Sequence, residues 1–130
     1  MDVIEVSSQR RRQLIDITSF VREAVDAAEI GDGVCHVFVP HTTAAVTLNE
    51  NADPAVAGDL LAALDAMVPG VRFTHAEGNS DAHLLSTLVG ASETVPVSGG
   101  ELTLGRWQAI YLVELDGPRR REVWVSCLRV

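Results

Sequence analysis

Two long runs rich in alternating apolar residues, 106–115 and 119–130, flank the tripeptide Asp116-Gly117-Pro118, and this arrangement constrains the fold most. Each run is long enough for a strand of ordinary length, and a Gly-Pro turn between them leaves no room for a helical crossover. In the first run Trp107, Ala109, Tyr111, Val113 and Leu115 share one face, with Gln108, Ile110, Leu112 and Glu114 on the other. A strand joined to its successor by so short a turn reads as half of an antiparallel pair.

The rest of the chain repeats the theme. Residues 2–8 and 12–18 read as two strands, with Ser7 to Arg12 as their hairpin connection and its arginines in solvent. Thr18 or Ser19 caps a helix reaching Ile30, with Phe20, Val21, Ala24, Val25 and Ala28 along one face and Gly31 stopping it. Residues 34–39 are apolar on both faces, as in a strand covered on both sides, and His36 within them reads as packed. A short strand at 44–48 leads to Asp53-Pro54, an N-cap followed by proline at the first helical position. Val56, Leu60, Leu61, Leu64, Met67 and Val68 form that helix's apolar stripe. A third helix carries Leu84, Leu85, Leu88 and Val89 and stops at Gly90, and residues 94–97 and 101–104 form a hairpin across Ser98-Gly99-Gly100. Strand pairs with short turns and only three helices indicate a single α+β domain over residues 1–130, an antiparallel sandwich-like sheet core with about three helices outside.

Composition narrows the function. The net charge of −8 argues against a nucleic-acid partner, which needs a basic footprint. No apolar run has membrane-spanning length, and the charged start lacks the features of a secretion signal, so the expected location is the cytoplasm. Cys35 and Cys127 lie far apart in apolar alternating runs and read as thiols in a reducing compartment. All ten cations are arginine. A Schiff-base lysine and a phosphate-loop lysine are therefore excluded, and the planar arginine fork remains for an anionic substrate.

The chemistry concentrates in residues 75–83, where His75, Glu77, Asn79, Asp81 and His83 are separated only by Ala, Gly and Ser. Such groups serve as metal ligands or as general acids and bases when small neighbours let their tips converge. The same stretch also reads as a polar loop with an Asx-turn and a helix cap at Ser80 or Asp81. His83 falls in the first turn of the following helix, whose N-terminus favours phosphate oxygens. His41 sits just past a strand, and Glu50 and Asn51 fall at a strand-to-helix junction, where they are either surface polars or site residues.

Three segments carry a family resemblance: His41-Thr-Thr-Ala-Ala-Val-Thr-Leu-Asn-Glu-Asn-Ala-Asp-Pro54, His75 to His83, and Leu104-Gly-Arg-Trp-Gln-Ala-Ile-Tyr111 with Asp116-Gly-Pro-Arg119. In that order they resemble the YjbQ family, also called UPF0047, over nearly the whole chain. The resemblance implies a small trimeric α+β protein of the kind described as a secondary thiamine-phosphate synthase. It implies site histidines His41, His75 and His83, with Glu50, Asn51, Glu77, Asn79 and Asp81 around them and Trp107, Gln108 and Arg119 as a rim. His36 falls outside the pattern. The enzyme reading that follows has His41, His75 and His83 holding a divalent metal or a phosphate, with His41, Glu50 or Asp81 completing the shell or moving a proton. Asn51, Glu77, Asn79, Trp107, Gln108 and Arg119 would then bind a phosphorylated small molecule. Three histidines favour zinc or manganese over magnesium, which prefers carboxylate and water. A trimer that binds a metal or phosphometabolite without turnover uses the same groups; a purely structural trimer leaves them unexplained.

Overall fold

The computed structural model describes all 130 residues. Two antiparallel sheets face each other. The larger has five strands in the order β1 (Asp2–Ser7), β8 (Arg120–Arg129), β3 (Gly33–Phe38), β5 (Ser92–Ser98), β6 (Glu101–Leu102). The smaller sets β7 (Gln108–Glu114) between β2 (Gln13–Asp16) and β4 (Ala44–Glu50). Strand alternation explains the layering. Cys35, Val37 and Val39 of the β3 run, Val123 and Val125 of β8, and Val95 and Val97 of β5 point inward. They meet Ala44, Val46, Ile110 and Leu112 from the smaller sheet. The opposite face of the smaller sheet presents Ala45, Val113 and, just past β7, Leu115 to a second core, made with Ala82 and Leu85 of α3 (Ser80–Val89). Leu64 of α2 (Pro54–Ala66) packs against it. The α+β class, with three helices and sandwich-like sheets, is as the sequence indicates.

Several details differ from the sequence reading. β1 and β2 do not pair with each other: β1 lies against β8 and β2 against β7. Nor do β7 and β8 form a hairpin, since each belongs to a different sheet. Residues 8–12 and 115–119 therefore carry the chain from one sheet to the other. They run side by side there, Ser8 N–H donating to Arg119 C=O at 2.9 Å and Gly117 N–H to Arg11 C=O at 2.9 Å. The crossover at Gly117 is tight enough that a Cβ would stand 2.3 Å from Arg10 O, so only glycine fits.

Helix α1 (Thr18–Ala28) is not capped by Thr18 or Ser19. Asp16 does that work, its Oδ1 accepting from the Thr18 N–H at 2.9 Å and hydroxyl at 2.6 Å, and Glu29 rather than Gly31 ends the helix in a left-handed conformation. Val21, Ala24 and Val25 of α1 join the core between the sheets, while Phe20 and Ala28 stay exposed. In α2 the proline start is as expected, with Asp53 accepting from Ala55 N–H. Its apolar stripe is only half-covered, and no residue of the helix is fully buried. β3 is covered on one face only: Val34, His36 and Phe38 lie half-buried on the outer face of the larger sheet, which no helix covers. His36 thus packs beside Phe38 there, outside the core. Cys35 and Cys127 face each other across β3 and β8; burial first, then Cys127, pushes the Cys35 thiol up to about 12.

Candidate functional site

At one end of the sandwich the core between the sheets gives way to charge. Ile110 and Leu112 on the inner face of β7 are followed in phase by Glu114, which is fully buried. Val125 and Val123 of β8 are likewise preceded in phase by Arg121, 5% exposed. The two charges meet: Arg121 Nε lies 3.0 Å from both carboxylate oxygens of Glu114, and Nη2 also reaches Oε2. Nη2 further donates to Thr43 O at 3.0 Å and Oγ1 at 2.9 Å. Ser8 Oγ and the Leu115 N–H donate to Glu114 as well. Arg121 Nη1 has no partner within the chain, and the residue lines an open cavity of about 420 Å³ just beyond the ion pair.

Ten residues line that cavity, none of them hydrophobic: Pro40 to Thr43, His75, Glu77, Asn79, His83, Arg119 and Arg121. Three elements supply them. The segment leaving β3 brings His41, and its Thr42 carbonyl accepts from Ser86 Oγ of α3 at 2.7 Å. The turn at 75–78, with Gly78 at φ +74°, brings His75 and Glu77 and leads into α3 with Asn79 at its N-cap. His75 and His83 meet edge to face with ring centroids 5.3 Å apart. The crossover before β8 brings Arg119, which donates from Nε to Asp116 O at 2.7 Å and from Nη2 to Asp116 Oδ2 at 2.9 Å. Asn79 Nδ2 donates to the same Oδ2 at 2.8 Å, and its buried Oδ1 has no partner.

His41 is held in one tautomer when neutral. Its Nε2 accepts from the Glu122 N–H at 2.9 Å, so the neutral ring carries its proton on Nδ1. Burial, then Arg121, push its pKa below the ordinary histidine value, against a smaller opposing pull from Glu122 and Glu114. Asp81 is engaged on the other side of the α3 N-terminus. Both its oxygens lie 3.0 Å from Arg11 Nη2, and Oδ2 accepts from Arg12. Burial raises its pKa, but the Ala82 N–H, Arg12 and Arg11 outweigh that and hold the carboxyl below the usual range.

The structure thus brings His41, His75, His83, Glu77, Asn79 and Arg119 to one cavity, and leaves Asp81 behind it. Glu50, Asn51, Trp107 and Gln108 stand elsewhere. β4 starts beside the cavity at Ala44 and ends at Glu50, six residues or ~20 Å along the strand. There Glu50 pairs with Gln108, Asn51 Nδ2 donates to Asp16 at 3.0 Å, and the exposed Trp107 carries the Arg106 guanidinium 5.0 Å from its ring centroid. The Nε2 lone pair of His41 is taken, and no three His, Cys, Asp or Glu side chains lie close enough to share an ion. The donors facing the cavity suit an anion better.

Arg121, Glu114, Thr42, Thr43 and Ser8 join the site without being singled out by the sequence. Strand phase was the signal for two of them: Glu114 and Arg121 are charges at positions where their own strands otherwise turn aliphatic side chains inward.

The fold and the cavity together define a two-sheet α+β domain with a histidine and arginine pocket at one end. The chain belongs to the YjbQ/UPF0047 family: the family model described as UPF0047 protein YjbQ-like matches residues 2–130. It is 45% identical over 125 residues to a UPF0047 protein of Methanocaldococcus jannaschii, covering 95% of this chain and 91% of that one. It is 40% identical to UPF0047 protein YugU of Bacillus subtilis, covering 98% of each. A YjbQ/UPF0047 family crystal structure from Clostridium acetobutylicum superposes with a TM-score of 0.95 at 45% identity, covering 98% of this chain and all of that one. A Sulfolobus solfataricus structure, described as a protein of unknown function, gives 0.94 at 39% identity, covering 99% and 96%.

Proposed function

We propose that this chain binds the phosphate of a small phosphorylated molecule in the histidine and arginine cavity and acts on it as an enzyme. One observation carries the reading: a nearly buried guanidinium, braced by Glu114 and Thr43, leaves Nη1 free at the floor of a cavity lined by three histidines. Arginine donors held rigidly from behind suit phosphate oxygens, which need several N–H groups at fixed angles. His41 offers an Nδ1–H, and Arg119 adds charge at the rim. His75 and His83, with no hydrogen bond committing their ring nitrogens, are placed to move a proton to or from the bound ester, with Glu77 beside them. Hydrolysis or transfer at the phosphate is the chemistry these groups serve.

Joining a pyrimidine diphosphate to a thiazole phosphate is the finer possibility that the family resemblance implies. The anion-binding half of that reaction has support in Arg119 and Arg121. The stacking surface it needs has none within the cavity, because Trp107 stands ~20 Å along the small sheet. A neighbouring subunit of the expected homotrimer would have to supply it.

The test is phosphate titration by isothermal calorimetry in a non-coordinating buffer, followed by a turnover screen over phosphate esters. His83→Ala and Arg119→Ala are expected to lower affinity, and His83→Ala to abolish any turnover found. No phosphate binding by the wild-type chain sinks the proposal. Binding that is lost in His83→Ala, with no ester turned over by the wild type, supports the non-catalytic binder instead.

A further inference from the structure

The wall of the cavity says what the remainder of the ligand is. We propose that the bound phosphate belongs to a small, open-chain hydroxylated molecule, a polyol phosphate, and not to an aryl or nucleobase phosphate. This rests on the phosphate-binding reading above and extends it to the part of the molecule beyond the phosphorus.

Pockets that take aromatic ligands are lined mostly by apolar and aromatic side chains, because a ring gains by leaving water for hydrocarbon. None of the ten residues here is hydrophobic. A ring entering this cavity would displace water from Glu77, His75, His83 and Thr42 and return no hydrogen bonds, and unpaired polar groups oppose binding. Hydroxyl groups both donate and accept, so they can replace that water bond for bond.

Charge sets the orientation. Arg121 is the buried end of the cavity and Glu77 is exposed at its rim. A phosphate against Glu77 would be repelled; a phosphate on Arg121 leaves Glu77 to accept from the hydroxyls of the same molecule. The turn built on Gly78 fixes this order, with Glu77 on one side and the N-cap Asn79 on the other. A volume of about 420 Å³ lies toward the small end of ligand cavities, enough for a phosphate and a few oxygenated carbons.

The experiment compares equilibrium binding of inorganic phosphate, glycerol 3-phosphate and phenyl phosphate to the full chain and to Glu77→Gln. The wild type is expected to bind glycerol 3-phosphate about tenfold more tightly than phenyl phosphate, a difference of ~1.4 kcal/mol. Glu77→Gln is expected to bind inorganic phosphate more tightly, having lost a like charge, while its preference for glycerol 3-phosphate shrinks to about threefold or less. Phenyl phosphate binding as well as glycerol 3-phosphate, or an undiminished preference in Glu77→Gln, overturns the inference and leaves the phosphate reading standing. Failure of inorganic phosphate to bind the wild type overturns both.

Discussion

Glu114 occupies a position where strand phase calls for an aliphatic side chain, and Arg121 makes its burial tolerable. Two charges taken out of water lose hydration, and only close pairing with saturated hydrogen bonding offsets that loss. Here Ser8, Thr43 and two backbone N–H groups supply the saturation. Glu114→Ala leaves a buried guanidinium without its counter-charge, so urea denaturation is expected to show a loss of about 3–5 kcal/mol. A loss under about 1 kcal/mol would mean the pair is held by its surroundings and adds little itself. His41 gives a second prediction. Its folded pKa lies below its unfolded value, so the unfolded chain takes up the proton first. The stability this group contributes is full above pH ~6.5 and falls as pH drops below it toward the folded pKa. Protonation of Nε2 also breaks the bond from Glu122 N–H, so the Glu122 amide resonance should shift with a midpoint below that of a free histidine. A midpoint at or above the free value would contradict the burial argument. Among individual residues, His75 and His83 were legible in the sequence because polar groups among small neighbours have no core to build, and His41 because it directly follows a strand. Arg121 was not, since it ends a run of three arginines at the start of the 119–130 strand, and only its phase with Val123 betrays it.

The segments 8–12 and 115–119 work as a clasp between the sheets. Arg12, nearly buried, donates to Leu115 O at 3.1 Å and pairs with Asp65 of α2 and Asp81 of α3. Arg11 bridges Asp81 and Asp116, and Asp116 holds Arg119 and Asn79. The start of α3, and with it the cavity wall, is thereby tied to the crossovers. Burial works against ionisation of Asp81 and Asp116. The N–H of Ala82 with Arg12 and Arg11 at Asp81, and Asn79 with Arg119 and Arg11 at Asp116, prevail and lower both pKa values. Carboxyls with depressed folded pKa values stabilise the fold above the unfolded value of 3.8, and this is lost as pH falls through the folded values. Thermal melts between pH 7 and pH 2 should therefore show a drop beginning near pH ~4, and Asp81→Asn should start lower and fall less steeply. Parallel curves for the two proteins would remove Asp81 from the clasp. Element types were readable from periodicity: three helices and the alternating strands fall where expected. Strand partners were not, because alternation identifies an inward face without naming the neighbour, and a short polar turn can cross between sheets as readily as within one. The helix stripe of α2 misled for a related reason, since a period of 3.6 predicts a covered face and cannot say how completely it is covered.

At the scale of the molecule, the two faces of the sandwich are treated differently. The smaller sheet is roofed by α2 and α3, whereas the outer face of the larger sheet has no helix over it. That outer face carries Val3 and Leu128, both more than half exposed, beside Phe38 and Trp124, whose ring centroids lie 5.7 Å apart. Exposed apolar side chains on a chain this acidic are where another subunit would gain most from burial. The cavity adjoins this face: His41 accepts from Glu122, and the Glu122 carboxylate accepts from Trp124 Nε1 at 3.1 Å. A homotrimer formed across this face would wall one side of a cavity that stands open in the single chain. Sedimentation equilibrium at micromolar concentration is therefore expected to return three times the chain mass of 13.9 kDa. Leu128→Glu, placing a charge on this face but away from the cavity, should sediment as the single chain with an unchanged circular dichroism spectrum and bind phosphate more weakly. A wild-type protein that sediments at the mass of one chain would refute the trimer. A Leu128→Glu protein that stays trimeric would place the interface elsewhere, with the smaller sheet's far end at Glu50, Trp107 and Gln108 the next surface to substitute.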